Sequence, residues 1–417
     1  MSARHISASK LEAVNKLRRR SVLAGAGGLV SGAALMGLAS AQTPPQVPDD
    51  PTKVQGRPAS ELGDRSSFEA PRRVPSATSS LTPLDLLNGI ITPSDVHYER
   101  HHAGVPLIDP RRYTLTLHGM VDRQTVFTLD DLKRFPSMSR IMFLECSGNS
   151  GSGWTKGPPT GTAQTLHGLT STSDWTGVLV STLMNEVAVQ PGAKWVLAEG
   201  EDAAVLSRSV PIDKILDDAF IAYGQNGEAL RPEQGYPARL MLPGWEGNIN
   251  VKWLRRLKFG DQPFETREET SKYTDPMPDG SARQFTFAME AKSTITWPTA
   301  RIGVMPAEGP WEIRGIAWSG RGRITRVEVS TDGGQTWADA RLVDPVLPMA
   351  HTRFLFPWTW SSAEAILTSR ATDETGYVQP SRQDLVSVRG TGSIYHYNGQ
   401  QNWRVAADGT ISNYYAA

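Results

Sequence analysis

The chain has one cysteine, and the run Phe143-Leu144-Glu145-Cys146-Ser147-Gly148-Asn149 puts its thiol where an apolar strand gives way to a glycine-containing loop. A loop at a strand end can present a side chain while the sheet fixes its position. A soft thiolate there suits a heavy, sulfur-liganded metal, and coordination removes the thiol proton. Two other uses fit the same residue. It could be a buried apolar thiol, or a nucleophile with His102 or His167 as its base. Arg100, followed by His101 and His102, offers a guanidinium suited to an anion beside an imidazole pair that could equally form a surface metal site or none. Asp202 taken alone reads as a solvated loop acid. The run from Ser330 to Trp337 has the pattern S-x-D-x-G-x-T-W, in which Asp-Gly-Gly supplies the positive φ of a tight hairpin. A non-enzymatic glycan-binding protein would rest on that hairpin alone.

These residues need elements to hold them. Residues 111–119 alternate as a strand, Thr128-Leu129-Asp130-Asp131 opens a short helix that must end near Pro136, and residues 140–144 form the strand that delivers Cys146. Trp175, Val178, Leu179, Leu183 and Val187 repeat with helical spacing. Residues 195–198 read as a strand, and Pro211 fits the first turn of a helix running to Leu216. After residue 283 the helical signal gives way to short alternating runs at 311–317, 324–329 and 365–369, which read as a β-sandwich. The expected fold class is α+β: a mixed domain over residues 81–280, then a β-sandwich over 281–417. Residues 42–80, rich in Pro, Ser and Thr, form an N-terminal extension.

Residues 1–41 read as an export signal. Arg18-Arg19-Arg20 precede a glycine-broken apolar stretch that closes on Ala39-Ser40-Ala41, the pattern of a twin-arginine (Tat) signal peptide. The stretch is short against the ~20 apolar residues of a membrane span, so no span is expected in the mature chain. Removing it takes away six of 43 Lys/Arg and one of 43 Asp/Glu, leaving a net charge of −5. The expected location is the periplasm, where a lone cysteine is exposed to oxidation and asks for a reason. With 39% apolar residues, 21% charged residues and 12 tryptophans the chain is globular, and a formal net charge of zero offers nothing to nucleic acid.

Four blocks resemble the sulfite oxidase family of molybdopterin enzymes in order and spacing. His97-Tyr98-Glu99-Arg100-His101-His102-Ala103-Gly104-Val105-Pro106 is similar to its aromatic-x-x-Arg-Asn-His-x-x-x-Pro segment, in which Arg100 and His102 match and His101 replaces asparagine. Cys146-Ser147-Gly148-Asn149 matches its Cys-x-Gly-Asn loop, and Glu199-Gly200-Glu201-Asp202 its Glu-Gly-x-Asp segment. The longest block runs from Ala222 through Gln234, Arg239 and Pro243-Gly244-Trp245-Glu246-Gly247 to Asn250-Val251-Lys252-Trp253-Leu254. The resemblance implies a molybdenum–molybdopterin cofactor, with Cys146 on the metal. It implies pterin contacts from Arg100, His101, His102, Asp202, Gln234, Asn250 and Val251, and Arg239 and Lys252 on the pterin phosphate. Glu268 to Tyr273 resembles the segment carrying the family's active-site tyrosine, so Tyr273, with Arg100 and Cys146, is an expected catalytic residue. The sandwich is implied to be an immunoglobulin-like dimerisation domain that gives a homodimer, and Arg404 falls near the position where it would lend an arginine to the pocket.

One departure bears on substrate. Sulfite-oxidising members place an arginine five residues after the cysteine, and here that position is Gly151. Residues 292–298 and 395–399 are most similar to the branch supplying the molybdenum subunit of periplasmic thiosulfate-oxidising (Sox) systems. That likeness implies oxidation of sulfane sulfur held on a carrier protein, with electrons passed to a diheme c-type cytochrome. Oxidation of free sulfite is the alternative. With one cysteine and no C-x-x-C-H, no heme is expected on this chain, so electrons must leave through a partner.

Overall fold

A computed structural model of the chain describes residue 53 and residues 55–415, so the expected export signal over residues 1–41 lies outside the described residues. Among them no helix is long and apolar enough to cross a membrane. The chain divides into two compact units at Asp64/Arg65. Within the first, Arg57 pairs with Asp64. The second holds every sheet among the described residues.

Two five-stranded sheets build the first half of that unit. One has the order β2-β1-β10-β5-β6, from β1 (Thr114–Gly119), β2 (Thr125–Thr128), β5 (Trp195–Gly200), β6 (Ser207–Pro211) and β10 (Leu254–Gly260). The other has the order β8-β7-β4-β3, from β3 (Ser137–Glu145), β4 (Thr170–Leu179), β7 (Phe220–Gln225) and β8 (Glu228–Ala229), with β9 (Arg239–Met241) also paired to β7. Leu115, Leu117, Val178, Leu183, Ile221, Leu240 and Leu257 form one buried cluster, packing the sheets into a common core. Helix α1 (Leu129–Arg134) starts where expected: Thr128 Oγ1 accepts from Asp131 N at 3.1 Å, and the Asp131 carboxylate accepts from Thr128 N at 2.9 Å.

Two local expectations fail. Trp175 to Leu179 end β4 rather than open a helix, and α2 (Val180–Val187) begins only afterwards. Strand β4 is hydrogen-bonded on both edges, to β3 and β7, and is buried along most of its length, so it shows no clean alternation and its apolar residues mimic a helical period. Pro211 closes β6 at ψ 138° and leaves helix α3 (Ile212–Asp217) to start one residue later.

The second half is the expected sandwich. Its four-stranded sheet, ordered β11-β12-β16-β15, contains β11 (Lys292–Trp297), β12 (Gly309–Trp318), β15 (Arg341–Val343) and β16 (Thr352–Trp360). Its five-stranded sheet, ordered β14-β13-β17-β18-β19, contains β13 (Ile324–Ser330), β14 (Ala338–Asp339), β17 (Ala365–Asp373), β18 (Asn402–Val405) and β19 (Ile411–Tyr414). The Asp332 hairpin is a structural turn: Asp332 Oδ1 accepts from Gln335 N and Thr336 N at 3.0 and 2.9 Å, and Gly333 and Gly334 take positive φ.

The halves meet through apolar packing and close backbone approach. Phe143 of β3 clusters with Met289, Ile316 and Trp318, and its N–H donates to Met349 O at 2.8 Å. Gly244, at φ +77°, faces Gly320 so closely that a Cβ on Gly320 would lie 1.9 Å from Gly244 O. Gly320→Ala is therefore expected to push the halves apart at a cost of roughly 1–3 kcal/mol, read as a lower denaturation midpoint in urea.

Candidate functional site

Strand β3 ends at Glu145, so Cys146 is the first residue of the loop that leaves the sheet. Its N–H donates to Leu169 O at 3.0 Å, and its carbonyl accepts from Asn149 N at 2.8 Å. Asn149 in turn accepts from Leu169 N at 3.1 Å, and Ser150, at φ 61°, shares a 2.6 Å hydrogen bond with His167 Nδ1. The loop is thus pinned on both sides of the thiol. Burial pushes the thiol pKa up, opposed by the Gly148 N–H and by Arg100. Neither histidine considered as a base hydrogen-bonds the sulfur: His167 bonds Ser150, and His102 bonds Tyr273.

The residues expected on the metal and cofactor, together with Tyr273, line one cleft. Cys146, Arg100, His101, His102, Asp202, Gln234, Arg239, Asn250, Val251, Lys252 and Tyr273 meet there from across about 170 residues of sequence. The short strand Glu99–Arg100 brings in Arg100, whose guanidinium donates to the carbonyl of His101. Tyr273 Oη and His102 Nε2 are 2.8 Å apart, while His102 Nδ1 is buried without a partner. Burial, then Arg100, holds His102 below its ordinary pKa; burial, then Cys146, holds the Tyr273 phenol well above its own. Tyr273 therefore keeps its proton and can donate it in a hydrogen bond. Asp202 Oδ1 accepts from Leu206 N at 3.1 Å, which turns the loop after β5.

The cationic end of the cleft decides what fits. Arg239, first residue of β9, donates to Gln234 O at 2.9 Å and Asn250 O at 3.0 Å; its Nε has no partner. Lys252 Nζ donates to Arg100 O and Glu233 O, both at 2.9 Å. Both cations rest on main-chain carbonyls rather than on a carboxylate. Burial pulls the Arg239 pKa down to about 10; burial, then Arg239, pulls Lys252 down to about 7. Two cations kept uncomfortable in this way fit a dianionic phosphate, which would restore their ordinary charge preference. Among the described residues no group of three or more His, Cys, Asp or Glu could hold a metal. Cys146 is a single thiol donor in the cleft, suited to one bond to a soft metal.

Some expectations are sharpened and one is corrected. Asn250 spends its side chain internally: Oδ1 accepts from Leu242 N at 2.6 Å, and Nδ2 donates to Trp245 O and Glu246 O at 3.2 and 2.9 Å. It can face a cofactor only through its main chain. Gln234 is likewise occupied, donating from Nε2 to Tyr98 O at 2.8 Å. Arg404 does not line the cleft. Its side chain is 44% exposed on β18 and paired with Glu364. A cleft residue that sequence reasoning missed is Asn248, which donates to Ser147 Oγ at 3.1 Å and to Glu246 Oε2 at 2.6 Å. Only its place beside the Gly247 motif could have marked it. Gly151 has a structural reason: a Cβ there would lie 3.0 Å from Ile394 O, and one on Gly153 would lie 2.3 Å from the Tyr397 ring. At 151 the Ile394 carbonyl is the close neighbour, and at 153 it is the Tyr397 ring.

Comparison with known proteins agrees with this geometry. The family described as Oxidoreductase molybdopterin binding domain matches residues 102–268, and that described as Mo-co oxidoreductase dimerisation domain matches residues 283–401. The chain belongs to the sulfite oxidase family of molybdopterin oxidoreductases, which implies a molybdenum–molybdopterin cofactor. Within it, the chain is similar to the sulfane dehydrogenase SoxCD of Paracoccus pantotrophus, whose crystal structure superposes with a TM-score of 0.85 at 44% identity, covering 88% of this chain and 98% of that one. It is 30% identical to the mitochondrial sulfite oxidase of Drosophila melanogaster over 81% of this chain and 65% of that protein. It is 31% identical to a nitrate reductase of Solanum lycopersicum over 73% of this chain and 38% of that protein. The chain thus spans just under two thirds of the fly protein and little over a third of the tomato one.

The Lys252 shift fixes the sign of a pH effect. Unfolded, the lysine titrates near 10.4; folded and without an anion, it titrates near 7. Between those values the unfolded chain binds more protons, so stability must rise with pH. Cofactor-free protein is expected to become harder to unfold from about pH 7 to pH 9, and Lys252→Met to lose that slope, in urea titrations at fixed ionic strength.

Proposed function

We propose that the chain is a periplasmic sulfur-compound dehydrogenase that oxidises sulfane sulfur held on a carrier protein and passes electrons to a c-type, diheme cytochrome partner. The observation that carries this reading is one buried thiol facing two carbonyl-bound cations in a single cleft, in a chain 44% identical to a sulfane dehydrogenase. A molybdenum–pterin group bound there supplies two-electron oxygen-atom transfer.

The chain's own residues do the rest. Cys146 Sγ would hold the metal, and Arg239 and Lys252 would hold the phosphate. Arg100 orients an anionic sulfur group by charge. Tyr273 Oη, fixed by His102 Nε2, offers a proton donor at the reacting centre. Asp202, Gln234 and the main chain at Asn250 and Val251 would lie against the pterin, and the His101 carbonyl accepts from the Arg100 guanidinium. Gly151 favours the carrier-bound substrate, because no cation stands at that position to gather a small free dianion. Arg18-Arg19-Arg20 and the apolar run after them support export by the Tat route. The single cysteine supports a chain without its own heme, and the match to the dimerisation family supports a homodimer.

Two experiments test the reading. Cys146→Ser is expected to abolish turnover while the protein stays folded, with about one molybdenum per wild-type chain by elemental analysis; wild-type-like turnover of the variant refutes the ligand assignment. Assayed with cytochrome c as acceptor, the wild type is expected to turn over a persulfide-loaded carrier protein at least tenfold faster than free sulfite. The reverse ranking would make it a sulfite dehydrogenase.

A further inference from the structure

The carboxylate that precedes Cys146 is gripped from the other half of the molecule. Glu145 is fully buried, and three donors meet it: Lys292 Nζ at 2.8 Å and Asn149 Nδ2 at 2.9 Å on Oε1, and Trp318 Nε1 at 2.6 Å on Oε2. Lys292 and Trp318 face each other directly across the β11/β12 ladder, 2% and 0% exposed, so one cross-strand pair of the sandwich grips one carboxylate of the first half. From Glu145 the constraint reaches Cys146 by two routes. One is the peptide bond. The other is Asn149, which binds Glu145 through its side chain and the Cys146 carbonyl through its N–H.

Domain attachment does not need the Lys292–Glu145 ion pair. Phe143, Met289, Ile316 and Trp318 already join the halves by apolar packing, and a buried ion pair is a poor source of stability against an apolar pair of similar volume. A fully satisfied buried carboxylate beside a ligand is, in contrast, the arrangement by which proteins orient metal ligands. We infer that Lys292 and Trp318 are positioning residues for Cys146, acting through Glu145, so that the sandwich is a structural part of the metal site. The inference rests on Cys146 as the metal ligand.

The test is a double-mutant cycle on the holoenzyme with Lys292→Gln, Glu145→Gln and the double variant, which keeps hydrogen-bonding groups on both sides and leaves no unpaired charge. The readouts are molybdenum content after gel filtration and the electron paramagnetic resonance signal of the half-reduced metal, alongside thermal unfolding. Each single variant is expected to lose roughly 10- to 100-fold in metal retention, with an altered resonance signal in what remains, and the double variant to recover both. Single variants that melt lower yet keep wild-type metal content and signal would show the pair to be attachment only and overturn the inference. So would a double variant that loses as much as the two singles together, or that fails to fold. Cys146→Ser separates the two readings: if it keeps the wild-type signal the ligand assignment fails and this inference with it, whereas unchanged signals in the two singles overturn this inference alone.

Discussion

Cations placed below a protein surface without a carboxylate are expensive, and this molecule is organised around two of them. Arg239 and Lys252 are held by the carbonyls of Gln234, Asn250, Arg100 and Glu233. Carbonyls orient a cation but do not neutralise it, so the charge is kept for an incoming anion. The surrounding architecture follows from delivering those groups to one place. β9 starts with Arg239, the turn before β10 carries Lys252, and the short strand Glu99–Arg100 offers Lys252 a carbonyl. Once the anion end is fixed, the distance to Cys146 is set by the sheet that holds β3 and β7 side by side around β4.

The thiol end is governed by a different kind of constraint, that of rigidity. Hydrogen bonds from Leu169, Asn149 and the Ser150–His167 pair leave the cysteine loop little freedom. Burial raises the thiol pKa, and the Gly148 N–H and Arg100 oppose that rise. Tyr273 completes the cleft from a segment between the two halves, where its bond to His102 joins two of the family-like blocks.

Much of this was legible in the sequence because the site residues sit in short runs whose residue types are dictated locally. Cys146 at a strand end, Thr128 capping α1, and the Asp332 turn each follow from a few neighbouring residues. What was not legible depends on partners far along the chain. The helical period of Trp175 to Val187 was misleading because pairing on both edges of β4 is a tertiary fact. Arg404 carries no local mark of its distance from the cleft. Gly151 was noticeable as a departure, but its cause, the main chain of Ile394 packed against it, comes from more than 240 residues away. Asn248 was passed over because an asparagine beside a glycine is an ordinary turn signal.

The contacts between residues 393–398 and the cysteine loop also order events in time. His396 N donates to Ser147 O at 2.7 Å, Ser393 Oγ reaches Asp275, and Lys292 lies 147 residues from its partner Glu145. Such separations make for slow closure, because the chain entropy between the partners must be lost before the contacts form. During synthesis the strands of the first half can pair while the C-terminal portion is still emerging, yet the loop carrying Cys146 gains its last braces only when nearly the whole chain is present. The cleft thus assembles late, and the cofactor meets a finished thiol site only in a polypeptide that has completed its sandwich.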